Sequence, residues 1–193
     1  MRLIVGISGA SGAVLGYETL RALRRQKDME IHLVVTKGAA VTLALETSLT
    51  LADAAALADY VHDDDNLAAP IASGSFRTDG MIVAPCSMKS LAGITAGYAG
   101  NLLGRAADVC LKEGRKLVLV PRETPLSKAH LRNLCTAAAD GCVILPPMLT
   151  FYNDQMTMEG QLQHIIGKIL AQFGLTHAGF VPWGEKKPAA QSR

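Results

Sequence analysis

The sequence predicts an α/β fold, with a mainly parallel sheet of about six strands in the middle layer and helices on both faces. Three observations predict it. Short apolar runs rich in β-branched residues, the kind buried on both faces of a parallel sheet, recur along the chain. Between them lie segments with apolar residues at helical spacing. No linker or internal repeat breaks the alternation. A chain of 193 residues suits one well-buried domain and is short for two. The expected organisation is a single domain over 1–185 with a tail at 186–193.

The first strand is Leu3–Ile7, which runs into Ser8-Gly9-Ala10-Ser11-Gly12. Gly9 and Gly12 permit close backbone approaches, and the helix that follows presents free N–H groups at its start, a ready cradle for phosphate. On that helix Ala13, Gly16, Tyr17, Leu20 and Leu23 share one face, opposite Glu18, Arg21 and Arg25. A tight turn with no ligand would use the same glycines. The spacing is neither G-x-G-x-x-G nor a Walker A loop, so any ligand is a phosphate-bearing molecule of another kind, such as a mononucleotide.

Ile31–Val35 is the second strand, followed by Thr36-Lys37-Gly38 and a helix carrying Ala40 to Leu45 and ending near Glu46-Thr47. Asp53 to Ala58 is a short helical piece, Tyr60–His62 a brief edge strand, and Asp63-Asp64-Asp65-Asn66 a solvated acidic turn. The loop Ala69–Gly80 precedes the buried strand Met81–Ala84, which Pro85-Cys86-Ser87 closes. A helix capped by Ser87 runs to Ala96, Gly97–Gly104 is a break, and a second helix spans Arg105 to Glu113. Lys116–Val120 is the next strand, ending at Pro121-Arg122-Glu123. Ser127 caps a helix whose Leu131, Leu134, Cys135 and Ala138 face inward, and Cys142–Leu145 is the last strand. The final helix has a stripe of Leu162, Ile165, Ile166, Ile169, Leu170 and Phe173, with Gln161, His164, Lys168 and Gln172 opposite.

Composition excludes several classes of function. Aromatics make up 5% of the chain and the formal net charge is +2, which disfavours nucleic-acid binding. The four cysteines lack CxxC pairing and sit in apolar stretches, as reduced core residues of a cytoplasmic protein do. The histidines lack metal-ligand spacing, and no metal is expected. No apolar run reaches membrane-spanning length, and no signal peptide is expected ahead of the first strand.

In sheets of this kind, ligands bind beyond the carboxyl ends of the strands, where strand order reverses. The residues there are Gly9-Ala10-Ser11, Thr36-Lys37, Ser87-Met88-Lys89-Ser90 and Arg122-Glu123. Hydroxyls, cations and helix starts dominate them, as a bound phosphate requires.

A wider pattern runs through the chain. It comprises Gly9-Ala10-Ser11-Gly12-Ala13, Glu46-Thr47, Ala72-Ser73-Gly74-Ser75, Pro85-Cys86-Ser87, Arg105-Ala106-Ala107-Asp108-Val109, Leu111-Lys112-Glu113 and Val118 through Glu123. Pro146-Pro147, Phe151-Tyr152 and Pro182-Trp183-Gly184-Glu185 extend it. This pattern resembles the UbiX family of flavin prenyltransferases over nearly the whole chain. Ser87-Met88-Lys89 is similar to the branch formerly regarded as one component of phenolic-acid or hydroxybenzoate decarboxylases.

The resemblance implies a Rossmann-like fold with strand order 321456. It also implies transfer of a dimethylallyl group from dimethylallyl phosphate to N5 and C6 of reduced FMN, without a metal. The prenylated FMN would pass to a UbiD-type decarboxylase, and the assembly would be a homo-oligomer, commonly a dodecamer.

Carried onto this sequence, the resemblance gives FMN to Gly9, Ala10, Ser11, Thr36, Ser87, Met88, Lys89, Ser90 and Arg122. Ser11, Glu46, Lys112 and Glu123 would be catalytic. Lys112, Arg122, Tyr152 and Lys168 would surround the donor phosphate, with Tyr152 and Lys168 reaching a neighbouring subunit's pocket, and Trp183 would close it. Thr36 stands where the family commonly has serine, and Lys168 where it has arginine, which keeps the charge and loses the bidentate fork.

Two rivals share the fold. One is a non-catalytic FMN carrier or assembly subunit of a decarboxylase. The other is a flavin-dependent cysteine decarboxylase, whose Pro-Ala-Ser-Ala-Asn-Thr type motif is replaced here by Pro85-Cys86-Ser87-Met88-Lys89-Ser90, with no histidine in the strand-end loops.

Overall fold

Strand β1 (Arg2–Ile7) is the centre from which the sheet is built, and nearly every residue in it is buried. The computed structural model describes residues 1–151, 157–180 and 182–184. After β1 come α1 (Ala13–Arg24), β2 (Glu30–Val35), α2 (Lys37–Glu46), α3 (Leu51–Ala55) and β3 (Tyr60–His62). Then follow β4 (Gly80–Cys86), α4 (Met88–Thr95), α5 (Leu102–Lys112), β5 (Lys116–Pro121), α6 (Lys128–Ala139), β6 (Val143–Ile144) and α7 (Met158–Ala171). The chain divides into two compact units, Met1–Pro147 and Met148–Arg193.

In the first unit the sheet order is β3-β2-β1-β4-β5-β6, and every pair is parallel. This is the order the resemblance implied. Full burial of β4 explains why its sequence is continuously apolar rather than alternating. On one face Met81, Val83, Leu117 and Leu119 join Leu102, Leu103, Ala106 and Cys110 of α5 in a single apolar cluster. On the other face α1 sits close to the sheet through Gly16, where a Cβ would lie 2.5 Å from the Ala84 carbonyl oxygen and 2.7 Å from Ile7 Cδ1.

Several local expectations need correction. The second crossover helix starts at Leu102 rather than Arg105, because Asn101 caps it by accepting from the Gly104 N–H at 3.0 Å. Asp64 is buried, not solvated. Its carboxylate accepts from Leu103 N at 3.0 Å and from Asn101 Nδ2 at 2.8 Å, so the acidic turn anchors the start of α5. Asp64→Ala is therefore expected to lower the unfolding free energy by about 2 kcal/mol, read by chemical denaturation. A loss under about 0.5 kcal/mol would show that water replaces the carboxylate.

Other deviations concern helix faces. Glu18 is buried on α1 in an ion pair with Arg21 at 2.7 Å. On α6 only Ala137 is buried; Leu131 is 53% exposed and Cys135 is also exposed. In the second unit, Gln161 and His164 are buried rather than solvent-facing. Gln161 accepts from Thr150 N at 2.8 Å and donates to Thr150 O at 2.6 Å, which removes the cost of burying its amide. Among the described residues, no helix is long and apolar enough to cross a membrane.

Candidate functional site

The strand order reverses between β1 and β4, so the loops after these two strands flank the crevice. Ser8, just past β1, joins them. Its buried hydroxyl donates to Pro85 O at 3.0 Å and accepts from Ser87 N at 2.7 Å. The ladder continues outward on both sides, with Thr36 N donating to Ile7 O at 3.0 Å and Arg122 N donating to Cys86 O at 3.2 Å. Thr36, Ser8, Ser87 and Arg122 therefore stand at four adjacent strand ends, spanning roughly 15 Å at a strand spacing of about 4.8 Å. Sequence reasoning assigned Ser8 no role; the available signal was a hydroxyl directly after an apolar strand.

Two of these residues cap helices. Thr36 Oγ1 accepts from Ala39 N at 3.2 Å and Ser87 Oγ from Ser90 N at 3.1 Å. The earlier amides of α2 and α4 point toward the crevice mouth, as N-terminal helix donors do. Lys89 is exposed in the first turn of α4. Gly9 faces Gly38 so closely that a Cβ on Gly9 would lie 2.9 Å from the Gly38 carbonyl carbon, so the loops after β1 and β2 meet backbone to backbone.

The amino end of α1 differs from the expected phosphate cradle. The Glu46 carboxylate, from the end of α2, takes its donors: Gly12 N at 2.7 Å and Ala13 N at 3.1 Å. Ser11 also hydrogen-bonds Glu46, and the Arg122 charge lies within electrostatic reach. Partial burial pushes the Glu46 carboxyl pKa up, but the Ser11, Gly12 and Ala13 hydrogen bonds and the Arg122 charge outweigh it. The net pKa is below the ordinary carboxylate range. Ser11 and Glu46 are thus brought together, with the Arg122 charge acting on the carboxylate. Glu123 follows Arg122 and accepts from Thr124 N at 3.0 Å.

Lys112 stands apart from this group. Helix α5 starts beside Asp64 at the carboxyl edge and ends at the amino edge, roughly 16 Å away. There Lys112 pairs with Glu113 beside Gly74, so the Ser73-Gly74-Ser75 loop also lies at the amino edge. Lys168, in the last turn of α7, and the exposed Trp183 belong to the second unit. Tyr152 lies outside the described residues.

Two further cavities border these regions. One of about 280 Å³ adjoins α4 and is lined by Lys89, Ser90, Gly93, Tyr98 and Asn101. A cleft of about 580 Å³ at the amino edge is lined by Arg2, Glu30, Asp79 and Arg115. Several of its charges are engaged within the chain: Arg2 pairs with Glu30 at 2.7 Å, and Arg115 donates to the Phe76 carbonyl at 2.9 Å. Burial pushes the Cys86 thiol up to about 12 and those of Cys110 and Cys142 to about 11, so these thiols stay protonated near neutral pH. Among the described residues, no group of three or more His, Cys, Asp or Glu side chains is placed to hold a metal ion.

Comparisons with known proteins identify the family of the chain. The flavoprotein family model matches residues 1–174. A probable UbiX-like flavin prenyltransferase from Sedimentibacter hydroxybenzoicus is 62% identical over 183 residues, covering 95% of this chain and 97% of the relative. A dodecameric FMN-dependent UbiX-like decarboxylase from Escherichia coli O157:H7 superposes with a TM-score of 0.93 at 55% identity, covering 96% of this chain and 100% of that one. AnUbiX (PadA1), solved in complex with FMN and dimethylallyl pyrophosphate, superposes with a TM-score of 0.92 at 48% identity, covering 96% and 98%. These matches place the chain plainly: it is a member of the flavoprotein family and, within it, of the UbiX-like flavin prenyltransferases.

Proposed function

We propose that this protein joins the dimethylallyl group of dimethylallyl phosphate to N5 and C6 of reduced FMN, and that a UbiD-type decarboxylase receives the product. The observation that carries this reading is Glu46 holding Ser11 and the Gly12 N–H beside the β1–β4 crevice, with the Arg122 charge acting on the same carboxylate. Reduced FMN supplies the nucleophilic nitrogen and carbon.

The residues present fit such a ligand. The amino ends of α2 and α4 offer N–H donors to a phosphate, and the Gly9–Gly38 contact brings the loops after β1 and β2 together beside them. Gly9, Ala10, Ser11, Thr36, Ser87, Met88, Lys89, Ser90 and Arg122 hold FMN in this reading. Ser11, held by Glu46, is set to pass a proton at the flavin edge, with Glu123 as partner acid/base. Arg122 stabilises the departing phosphate.

Tyr152, Lys168 and Trp183 complete the donor pocket in this reading, with Tyr152 and Lys168 serving a neighbouring subunit. Lys112 points away from its own chain's crevice, so its share in phosphate binding is likewise assigned to a neighbouring copy. A homo-oligomer, of the dodecameric kind reported for the Escherichia coli relative, follows from that assignment. The free cysteines suit a reducing, cytoplasmic setting.

Anaerobic incubation with reduced FMN and dimethylallyl phosphate, followed by mass spectrometry, tests the reading. The flavin is expected to gain a five-carbon unit. Recovery of unmodified FMN alone, with dimethylallyl pyrophosphate also supplied, would make the protein a flavin carrier. Lys168→Arg is expected to tighten donor binding by up to about tenfold through the bidentate fork, and an unchanged donor affinity would remove Lys168 from the phosphate.

A further inference from the structure

The second unit contains a close contact that its helical periodicity does not require. Gly167 lies in the interior of α7, where glycine is unfavourable relative to alanine. A Cβ there would collide with the Phe180 Cβ and come within 2.9 Å of its ring carbon Cγ. The Phe180 ring also lies against His164, one helical turn earlier, with centroids 5.1 Å apart and planes tilted by 58°.

The intervening chain is shaped to deliver Phe180 to that point. Helix α7 ends with Gly174 N donating to Ala171 O at 3.1 Å and Leu175 N donating to Leu170 O at 3.2 Å, the paired bonds of a Schellman reversal. Gly174 takes the left-handed conformation the reversal needs, at φ 71°. A second turn follows, with Gly179 N on His177 Nδ1 at 3.0 Å and Phe180 N on His177 O at 3.0 Å. Gly179 in turn meets the helix, and a Cβ on it would lie 2.6 Å from Gln163 Cβ. Two glycines, one on the helix and one on the returning segment, thus mark where the two arms of this hairpin touch. Trp183 is three residues beyond Phe180, within roughly 10 Å of chain.

We propose that Gly167 and Phe180 form a latch that fastens the segment after α7 to the helix, fixing Trp183 relative to Lys168 and thereby setting donor affinity. Gly167 and Phe180 are positioning residues. The donor part of the proposal rests on the reading of Lys168 and Trp183 as donor-pocket residues.

Trp183 is the only tryptophan in the chain, so its fluorescence anisotropy reports the segment directly, without turnover. The assembled full-length protein is used as Gly167→Ala, Phe180→Ala and Phe180→Leu variants. Gly167→Ala pushes the ring off the helix, whereas Phe180→Ala removes the ring and introduces no clash. Both are expected to lower Trp183 anisotropy and raise KM for dimethylallyl phosphate several-fold, with kcat and reduced-FMN affinity retained. Phe180→Leu, which keeps an apolar plug, is expected to restore most of both signals.

Unchanged anisotropy in Phe180→Ala overturns the latch. A parallel loss of FMN affinity overturns it too, because that marks general structural damage. A wild-type protein that binds reduced FMN and transfers nothing overturns the prenyltransferase reading and the donor part of the proposal. The anisotropy arm still decides whether Gly167 and Phe180 hold Trp183.

Discussion

Glu46→Ala is expected to slow flavin prenylation by about 10²-fold, the scale of loss when a reacting group such as Ser11 is no longer held in place. The carboxylate holds the Gly12 and Ala13 N–H groups and the Ser11 hydroxyl, so its removal frees the β1–α1 loop and the orientation of Ser11 together. Glu46→Gln keeps an acceptor oxygen and is expected to lose less. Single-turnover rates under anaerobic conditions, with FMN affinity measured alongside, separate the chemical step from binding. A loss below about tenfold would remove Glu46 from the reacting centre.

The pH dependence follows from the same contacts. Because the folded pKa of Glu46 is depressed, its stabilising contribution is complete above the unfolded carboxyl value. It is lost as the pH falls through the lower, folded value. The part of the rate that needs ionised Glu46 is therefore expected to be flat through neutrality and to fall only on the acid side of the ordinary carboxylate range.

The largest expected effect on stability is at Gly16. Gly16→Val would drive side-chain atoms into the Ala84 carbonyl and Ile7, both on central strands that cannot yield without disturbing their neighbours. Overpacking of this kind costs about 3 kcal/mol or more, which lowers Tm by roughly 6–12 °C in a chain of this size. Thermal unfolding followed by circular dichroism measures it. An unaltered Tm would mean that α1 has slack above the sheet. Because α1 carries the Gly12 and Ala13 donors, lifting it is also expected to weaken the Glu46 contact.

The strands were legible because a parallel sheet buried on both faces needs unbroken apolar runs, and Leu3–Ile7 and Met81–Ala84 are such runs. Helix faces were less legible. The same apolar spacing that buries Leu20 and Leu23 on α1 leaves Leu131 exposed on α6, since periodicity gives a face and not what lies against it. Polar residues misled where they found partners: Asp64 at the start of α5, Gln161 on the Thr150 backbone. The strand-end loops could be collected from the crevice rule alone. The Glu46 contact spans 34 positions in sequence and depends on the path of α2, which no local pattern encodes. Lys112 sits in a recognisable sequence string, yet α5 carries it to the far edge of the sheet.

Glu46 also bears on which nucleotides this topology admits. In dinucleotide binders, the first helix after β1 receives a pyrophosphate bridge. Here its leading amides already hold an internal anion, so a bridged ligand would have to evict a charge-assisted clasp before docking its second phosphate. At this position a second phosphate would meet competition from the chain's own carboxylate rather than a steric wall.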